Sequence, residues 1–178
     1  QFEYEYTKAV DTINSKTQNY ILESHKNYHF FYGANTYSID SLSNTNQTPI
    51  IISSDITIPV SKKKHKRDIL KSFLFENGKD YFLMSNFTKL KIKYEDTIKL
   101  DWKLEKSTME YLGYTCNQAT TEYAGRKYIA WYTKAIPITS GPYVFKGLPG
   151  LIMKISDTEN KHSFRLVEIK KSLNYKFT

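Results

Sequence analysis

The chain has 178 residues, of which 40% are hydrophobic and 15% aromatic, and it carries a formal net charge of +8. This length predicts one domain with a core of its own. The sequence has no apolar run of about 18 residues, which argues against a transmembrane helix. Its single cysteine, Cys116, excludes an internal disulfide. The positive charge suits nucleic acid, anionic lipid or an acidic partner, and it also serves solubility.

The N-terminal part of the chain has the pattern of strands. Residues 2–6 alternate aromatic rings with carboxylates, which is typical of a strand with one buried face. Residues 11–17 are polar and favour a turn, and residues 20–22 and 28–32 are apolar enough to form two further strands. The second of these strands is expected to end at Gly33.

A loop excursion is predicted over about residues 34–68, within a single β domain that spans residues 1–178. A helical turn is expected around residues 37–42. The excursion ends in the strongest charge feature of the chain, the basic residues Lys62, Lys63, Lys64, Lys66 and Arg67. Like charges repel, so this run is expected to be extended and solvent-facing. It is either a solvated loop or a contact for phosphate, lipid headgroups or an acidic protein.

The central part of the chain predicts hairpins. Asn77-Gly78 between two apolar runs is the strongest hairpin signal, because these residues adopt positive φ at low cost. Residues 98–104 alternate apolar and charged side chains, which predicts an amphipathic strand with Trp102 in the core. Residues 124–126 favour another turn. The whole pattern predicts an all-β fold, with a single curved antiparallel sheet as a half-barrel or barrel-like meander and little helix.

Five of the seven glycines and three of the five prolines lie between residues 113 and 152, which predicts an unusual backbone path there. Pro149-Gly150 has the order of a type II turn, and proline favours an extended Leu148. The expected fold-over places Tyr143, Phe145 and Leu148 on one surface. This surface is either a structural corner between two strands or an exposed apolar lip that binds a partner.

Several segments between residues 110 and 170 occur in a fixed order, namely Gly113-Tyr114-Thr115-Cys116, Gly125-Arg126, Ala130-Trp131-Tyr132-Thr133, Ile136-Pro137-Ile138, Gly141-Pro142-Tyr143, Phe145 and Gly147-Leu148-Pro149-Gly150-Leu151-Ile152. With this order and spacing, the chain resembles the GLPGLI family of exported Bacteroidota proteins. The resemblance implies a periplasmic or outer-membrane-associated protein made with a signal peptide, whose gene often accompanies TonB-dependent transporters. It implies no established reaction. The first residue, Gln1, agrees with a processed N-terminus.

No catalytic, metal or cofactor constellation is recognisable in the sequence. Cys116 has no histidine close in sequence to activate it, and a lone thiol is usually a small buried hydrophobe. His25 and His29 are four residues apart, which in a strand separates them by about 13 Å, too far to share an ion. The basic run has no interleaved aromatic residues, which argues against nucleic acid.

The leading hypothesis is a non-catalytic exported protein that binds an outer-membrane β-barrel protein of the TonB-dependent transporter type and is at most peripheral to the membrane. Tyr143, Phe145 and Leu148 are its predicted contact residues. The alternatives are a lipid or peptide carrier with an apolar concave face and, third, a hydrolase with dispersed residues. The tripeptides that begin at Asp11, Asp40 and Asp96 resemble Bacteroidota O-glycosylation acceptors, which makes Thr12, Ser41 and Thr97 candidate sites.

Overall fold

The structure, a computed structural model, describes residues 1–25, 28–34, 50–53, 56–58, 70, 72–77, 80–85 and 98–170. All regular structure in these ranges is β-strand, so the predicted all-β fold is confirmed. The strands are β1 (Phe2–Ala9), β2 (Ser15–Ser24), β3 (Tyr28–Gly33), β4 (Ile50–Ser53), β5 (Ile56–Ile58), β6 (Ser72–Asn77), β7 (Asp80–Ser85), β8 (Lys103–Tyr111), β9 (Tyr114–Tyr123), β10 (Arg126–Thr133), β11 (Leu151–Asp157) and β12 (His162–Ile169). Over the described ranges, no helix has the length and apolar character needed to cross a membrane.

Ten strands form one antiparallel sheet in the order β7-β6-β3-β2-β1-β12-β11-β10-β9-β8, and β4 and β5 pair with each other. The sheet therefore consists of two meanders, one from each half of the chain. They meet in the middle, where β1 pairs with β12 from Phe2 opposite Ile169 to Lys8 opposite His162. Among the described strands, β7 and β8 lie at the two outer edges and do not pair with each other, so the described sheet is open.

One face of the sheet is buried and the other faces solvent, as the alternation in β1 predicts. Tyr4 and Tyr6 are buried, whereas the intervening Glu5 is partly exposed. Phe31 in β3 and Phe164 in β12 are separated by two strands, which corresponds to about 14 Å at ordinary strand spacing. Their ring centroids are nevertheless 6.0 Å apart. The sheet therefore curls around its buried face, which we call the inner face.

Two tight turns have the chemistry that hairpins require. Leu112 and Gly113 join β8 to β9 with φ of 51° and 78°, and Ala124 and Gly125 join β9 to β10 with φ of 49° and 73°. Positive φ at both residues is the type I′ geometry that matches the twist of antiparallel strands. The hairpin predicted at Asn77 is also present, because β6 and β7 pair up to Asn77 opposite Asp80.

The strand predicted over residues 98–104 is wrong for most of its length, because β8 begins only at Lys103. The Trp102 indole N–H instead donates to the Lys146 carbonyl oxygen at 2.7 Å, and its ring packs against the core while partly exposed. The expected helical turn at residues 37–42 lies outside the described residues. The predicted excursion contains the separate β4–β5 pair.

Candidate functional site

The link between β10 and β11, residues 134–150, folds back over the inner face, and we call it the β10–β11 connection. Three backbone hydrogen bonds of 3.1 Å fix its path. Gly147 N–H donates to Thr139 O, Leu151 N–H donates to Ile136 O, and Ile152 N–H donates to Ser140 O. Because these bonds join the first half of the connection to Gly147 and to the start of β11, the connection folds back on itself as a compact segment.

Phe145 is the main side chain that the connection delivers to the inner face. Its ring centroid lies 4.6 Å from that of Tyr128, 5.8 Å from that of Tyr123 and 6.4 Å from that of Phe164. Only 2% of Phe145 and 1% of the neighbouring Leu148 are exposed. The connection therefore occupies apolar surface on the inner face that a carrier would need to keep open for its cargo.

The turn at Pro149 differs from the predicted type II turn. Gly150 N–H donates to Leu148 O at 2.8 Å, which closes a three-residue γ-turn around Pro149. In a type II turn the Leu151 N–H would donate to Leu148 O. Here the same N–H donates to Ile136 O, and this bond across the connection draws the backbone away from the type II geometry.

Two glycines allow the connection to approach its neighbours closely. Gly150 has φ +145°, and a Cβ on it would overlap the carbonyl oxygen of Thr133 at the end of β10. A Cβ on Gly141 would lie 2.8 Å from the Ile152 side chain and from Phe145 O. Glycine is required where backbones come this close. The Gly147–Ile152 hexapeptide is thus a structural corner.

The three residues predicted to contact a partner do not form one exposed surface. Phe145 and Leu148 are core residues, because they pack against the rings of the inner face. Tyr143 is partly exposed and has φ of 55°, a conformation that costs about 1–3 kcal/mol for residues other than glycine. Burial raises the pKa of Tyr143 to about 12, and the neighbouring Tyr123 hydroxyl adds to the shift. The expected apolar lip is therefore corrected: Phe145 and Leu148 form a buried plug in the core, and the Tyr143 ring is partly exposed.

A polar cluster that was not among the predicted site residues lies where β10, β11 and β12 meet. Asp157 is 2% exposed; its Oδ2 lies 3.1 Å from Arg126 Nη1 and its Oδ1 accepts the Lys161 N–H at 2.6 Å. The Tyr6 hydroxyl lies 2.6 Å from His162 Nδ1. Burial lowers the pKa of His162. Alternation of Met153, Ile155 and Asp157 in β11 is the sequence signal from which the burial of this carboxylate could have been predicted.

Three other ionisable side chains, those of Cys116, His25 and His29, are each held by burial or by a neighbouring residue. Cys116 is fully buried, and burial raises the pKa of its thiol, which disfavours the thiolate. His25 lies 3.5 Å from Glu23, and His29 pairs with Ser24 across β2 and β3. Among the described residues, no group of three or more His, Cys, Asp or Glu side chains could hold a metal ion.

The turn between β1 and β2, residues 10–14, is ordered by its own side chains, and we call it the hairpin tip. Asp11 Oδ1 accepts the N–H groups of Ile13 at 2.9 Å and Asn14 at 2.7 Å, and Val10 N–H donates to Asn14 O at 2.9 Å. The tip nevertheless exposes its apolar side chains: Ile13 is 90% exposed and Val10 is 55% exposed. Thr12, a predicted glycosylation site, is exposed in the same turn.

A cleft of about 390 Å³ lies between residues 98–101 and the outer side of the β10–β11 connection. Its polar lining consists of His29, Lys99, Asp101, Thr139 and Lys146, with the backbone of Gly147. Ser41, Thr97 and the basic residues Lys62, Lys63, Lys64, Lys66 and Arg67 lie outside the described residues.

A family model described as "Protein of unknown function (Porph_ging)" matches residues 122–154, the segment that contains the β10–β11 connection. The chain thus resembles a Bacteroidota-associated family of unknown function over this segment. A comparison with curated protein sequences gives no match.

Two crystal structures of the protein PNGF-II, in the C2 and P21 space groups, are similar to the chain with TM-scores of 0.59 and 0.54. Both are 17% identical to it, and each alignment covers 98% of this chain and 29% of the PNGF-II chain. The likeness at this identity concerns the fold. The chain spans about 29% of the length of the PNGF-II chains.

Proposed function

We propose that the chain is a non-catalytic binding domain of an exported GLPGLI-type protein, and that its partner is an outer-membrane β-barrel protein. The contact is made by the hairpin tip rather than by the β10–β11 connection. The observation that carries this proposal is Ile13, which is 90% exposed in a turn held by several hydrogen bonds. Isolated exposed apolar residues are common, but Ile13 is joined by Val10 in the same turn.

The order of the hairpin tip favours binding. Asn14 Nδ2 donates to both oxygens of Asp11, at 3.1 Å and 2.9 Å, in addition to the backbone bonds within the turn. A segment that is already ordered loses little conformational entropy when a partner binds it. The tip therefore presents Ile13 and Val10 as a pre-organised apolar anchor.

The charges around the hairpin tip indicate the chemistry of the partner surface. Lys8 and Lys16 are exposed and lie directly opposite each other where β1 and β2 meet the tip. Charges arranged around an apolar centre select the complementary rim. The expected partner surface is an apolar socket edged by carboxylates.

The interior supports a binding role over a hydrolytic one. The buried carboxylate of Asp157 is committed to Arg126 and to backbone N–H groups, and Cys116 is held as a thiol. The carrier alternative has less support, because Phe145 fills part of the inner face. Glycosylation of Thr12 remains a proposal, which intact-mass spectrometry of the protein from its native host would test. A mass equal to that of the bare polypeptide would remove it.

The test is recovery of the partner from native envelopes with the Val10→Ser/Ile13→Ser double variant. Leu112→Asn is the matched control. Leu112 is 49% exposed in the β8–β9 turn, away from the hairpin tip, and asparagine tolerates its positive φ. We expect the parent and the control to recover one outer-membrane protein, identified by mass spectrometry, and the double variant to lose it. The purified pair should also bind more weakly as salt rises.

Equal recovery by the parent and the double variant would overturn the role of the tip. Flotation with vesicles of anionic lipid is the counter-test. Binding to vesicles that needs Ile13, without recovery of an outer-membrane protein, would replace the protein partner with a lipid surface.

A further inference from the structure

We infer that the cleft beside the β10–β11 connection is a binding site for a small organic anion, a carboxylate or phosphate ester. Its volume of about 390 Å³ lies within the range typical of small-molecule sites. The site is independent of the proposed partner contact. It is lined by His29, which pairs with the last residue of β2, Ser24, whereas the hairpin tip precedes Ser15 at the other end of that strand.

The walls of the cleft are fixed before any ligand arrives. Trp102 Nε1 donates to Lys146 O at 2.7 Å, which ties residues 98–102 to the connection. Gly147 N–H donates to Thr139 O at 3.1 Å, so two lining residues are also bonded to each other. Gly147 has φ +93°, and a Cβ there would lie 3.8 Å from Trp102 Nε1. A pre-formed cleft requires little reorganisation on binding.

The lining points to an oxyanion. Lys99 lies in the first wall and Lys146 in the second, so lysines from two separate segments line one cleft. Thr139 adds a hydroxyl that can donate to an anionic oxygen. Hydrogen bonds from charged donors to carboxylate or phosphate oxygens are among the stronger ones in proteins.

The remaining lining residues indicate an organic ligand rather than a bare ion. Ile98 and Leu100 give the cleft an apolar portion, and its volume exceeds what one oxyanion fills. Asp101 is also a lining residue, and its carboxylate disfavours the binding of a highly charged polyanion by repulsion. A ligand with one anionic group and an apolar body fits this combination.

The indole N–H of Trp102 is a direct reporter, because it donates to the backbone of a lining residue. The chain has two tryptophans, so a nitrogen–proton correlation spectrum contains two indole signals, and Trp131→Phe assigns them. The probes are benzoate, phenyl phosphate, neutral benzamide and inorganic phosphate, each at constant ionic strength. We expect a saturable shift of the Trp102 signal with benzoate, phenyl phosphate or both, and the effective probe identifies the anionic group.

Lys99→Gln should weaken this binding at least tenfold and Lys99→Arg should restore most of it. Lys103→Gln, which removes an exposed charge from β8 outside the cleft, should leave it unchanged. The inference is overturned if neither organic anion gives a saturable shift, if benzamide binds equally well, if inorganic phosphate alone binds, or if Lys99→Gln binds as the parent does. Because recovery of an envelope partner is a separate measurement, either proposal can fail without the other.

Discussion

Gly150 lies directly against the carbonyl oxygen of Thr133, with no room for a side chain between them. The contact joins the last residue of β10 to the residue that precedes β11. It therefore sets how closely the β10–β11 connection returns to the sheet, and with it the depth at which Phe145 enters the core.

Gly150→Ala should lower the free energy of unfolding more than Gly113→Ala. Both glycines have positive φ, which costs about 1–3 kcal/mol for another residue. Only Gly150 also meets neighbouring backbone, which adds a packing penalty of about 1–3 kcal/mol. Urea denaturation of the two variants measures the difference, and equal losses would contradict the close-approach argument.

Truncation of the plug should cost stability on the scale of a core mutation. We expect Phe145→Ala to lose about 3–5 kcal/mol and Leu148→Ala about 2–5 kcal/mol, since both side chains are buried. Leu112→Ala, at an exposed turn, is the comparison for the loss of an apolar side chain outside the core. A melting temperature unchanged by Phe145→Ala would instead indicate that the Phe145 ring is exposed, and it would support the apolar lip as a binding surface.

The carboxylate of Asp157 should contribute far more than its neighbour Glu159, although both pair with Arg126. Asp157 Oδ2 lies 3.1 Å from Arg126 Nη1 and the side chain is 2% exposed, whereas Glu159 lies 3.8 Å from the same nitrogen and is 61% exposed. We expect Asp157→Ala to cost about 2–3 kcal/mol and Glu159→Ala less than about 1 kcal/mol. Chemical denaturation of both variants distinguishes them, and similar losses would contradict this ranking.

Mild acid should destabilise the protein through His162. Burial lowers the pKa of His162 in the folded state, so below its ordinary value of about 6.5 the unfolded chain binds more protons than the folded one. The contribution is present in full above that pH and is lost as the pH falls through the folded pKa. Unfolding curves across this window should show a fall in stability that is absent in His162→Gln. The same slope in parent and variant would assign the effect to another group.

Alkaline conditions should also destabilise the protein, through buried tyrosines. Burial raises the pKa of Tyr4, Tyr6 and Tyr32, and raises that of Tyr143 to about 12. Their contribution to stability is present below the unfolded value of about 10 and is lost as the pH rises above it. Tyrosinate absorbance of the folded protein should lag behind that of the urea-unfolded protein. Coincident titration curves would show that the hydroxyls are solvated.

The alternation in residues 2–6 was sufficient to predict β1, because Phe2, Tyr4 and Tyr6 are buried on one face of that strand. The Asn77-Gly78 signal also predicted a hairpin, since the chemistry of a tight turn is local. The same reasoning failed at residues 98–102, where a distant backbone oxygen, that of Lys146, captures the Trp102 indole. The alternation of apolar and charged residues describes one segment only, so it cannot predict a hydrogen bond to a residue more than forty positions away.

The functional features also divide into those that the local sequence predicted and those that depended on distant residues. The glycine-rich stretch was predicted to be either a corner or an apolar lip, and its local sequence could not decide between them. The turn type depended on Ile136, whose carbonyl oxygen accepts the Leu151 N–H. The exposure of Ile13 was missed because residues 11–17 were read only as polar. The cleft could not be predicted, since it forms only when residues 98–101 meet the β10–β11 connection.

The central pairing of β1 with β12 also determines when the sheet can be completed. Phe2 pairs with Ile169, and the Gln1 backbone nitrogen donates to Lys170 O at 3.1 Å, so this pairing joins residues almost 170 positions apart. Contacts between residues so distant in sequence slow folding, because the intervening chain must be ordered around them. During synthesis, β1 keeps an unpaired edge until β12 has emerged. A nascent chain that stops short of residue 162 therefore exposes a strand edge in the middle of its future sheet, where another chain could pair with it.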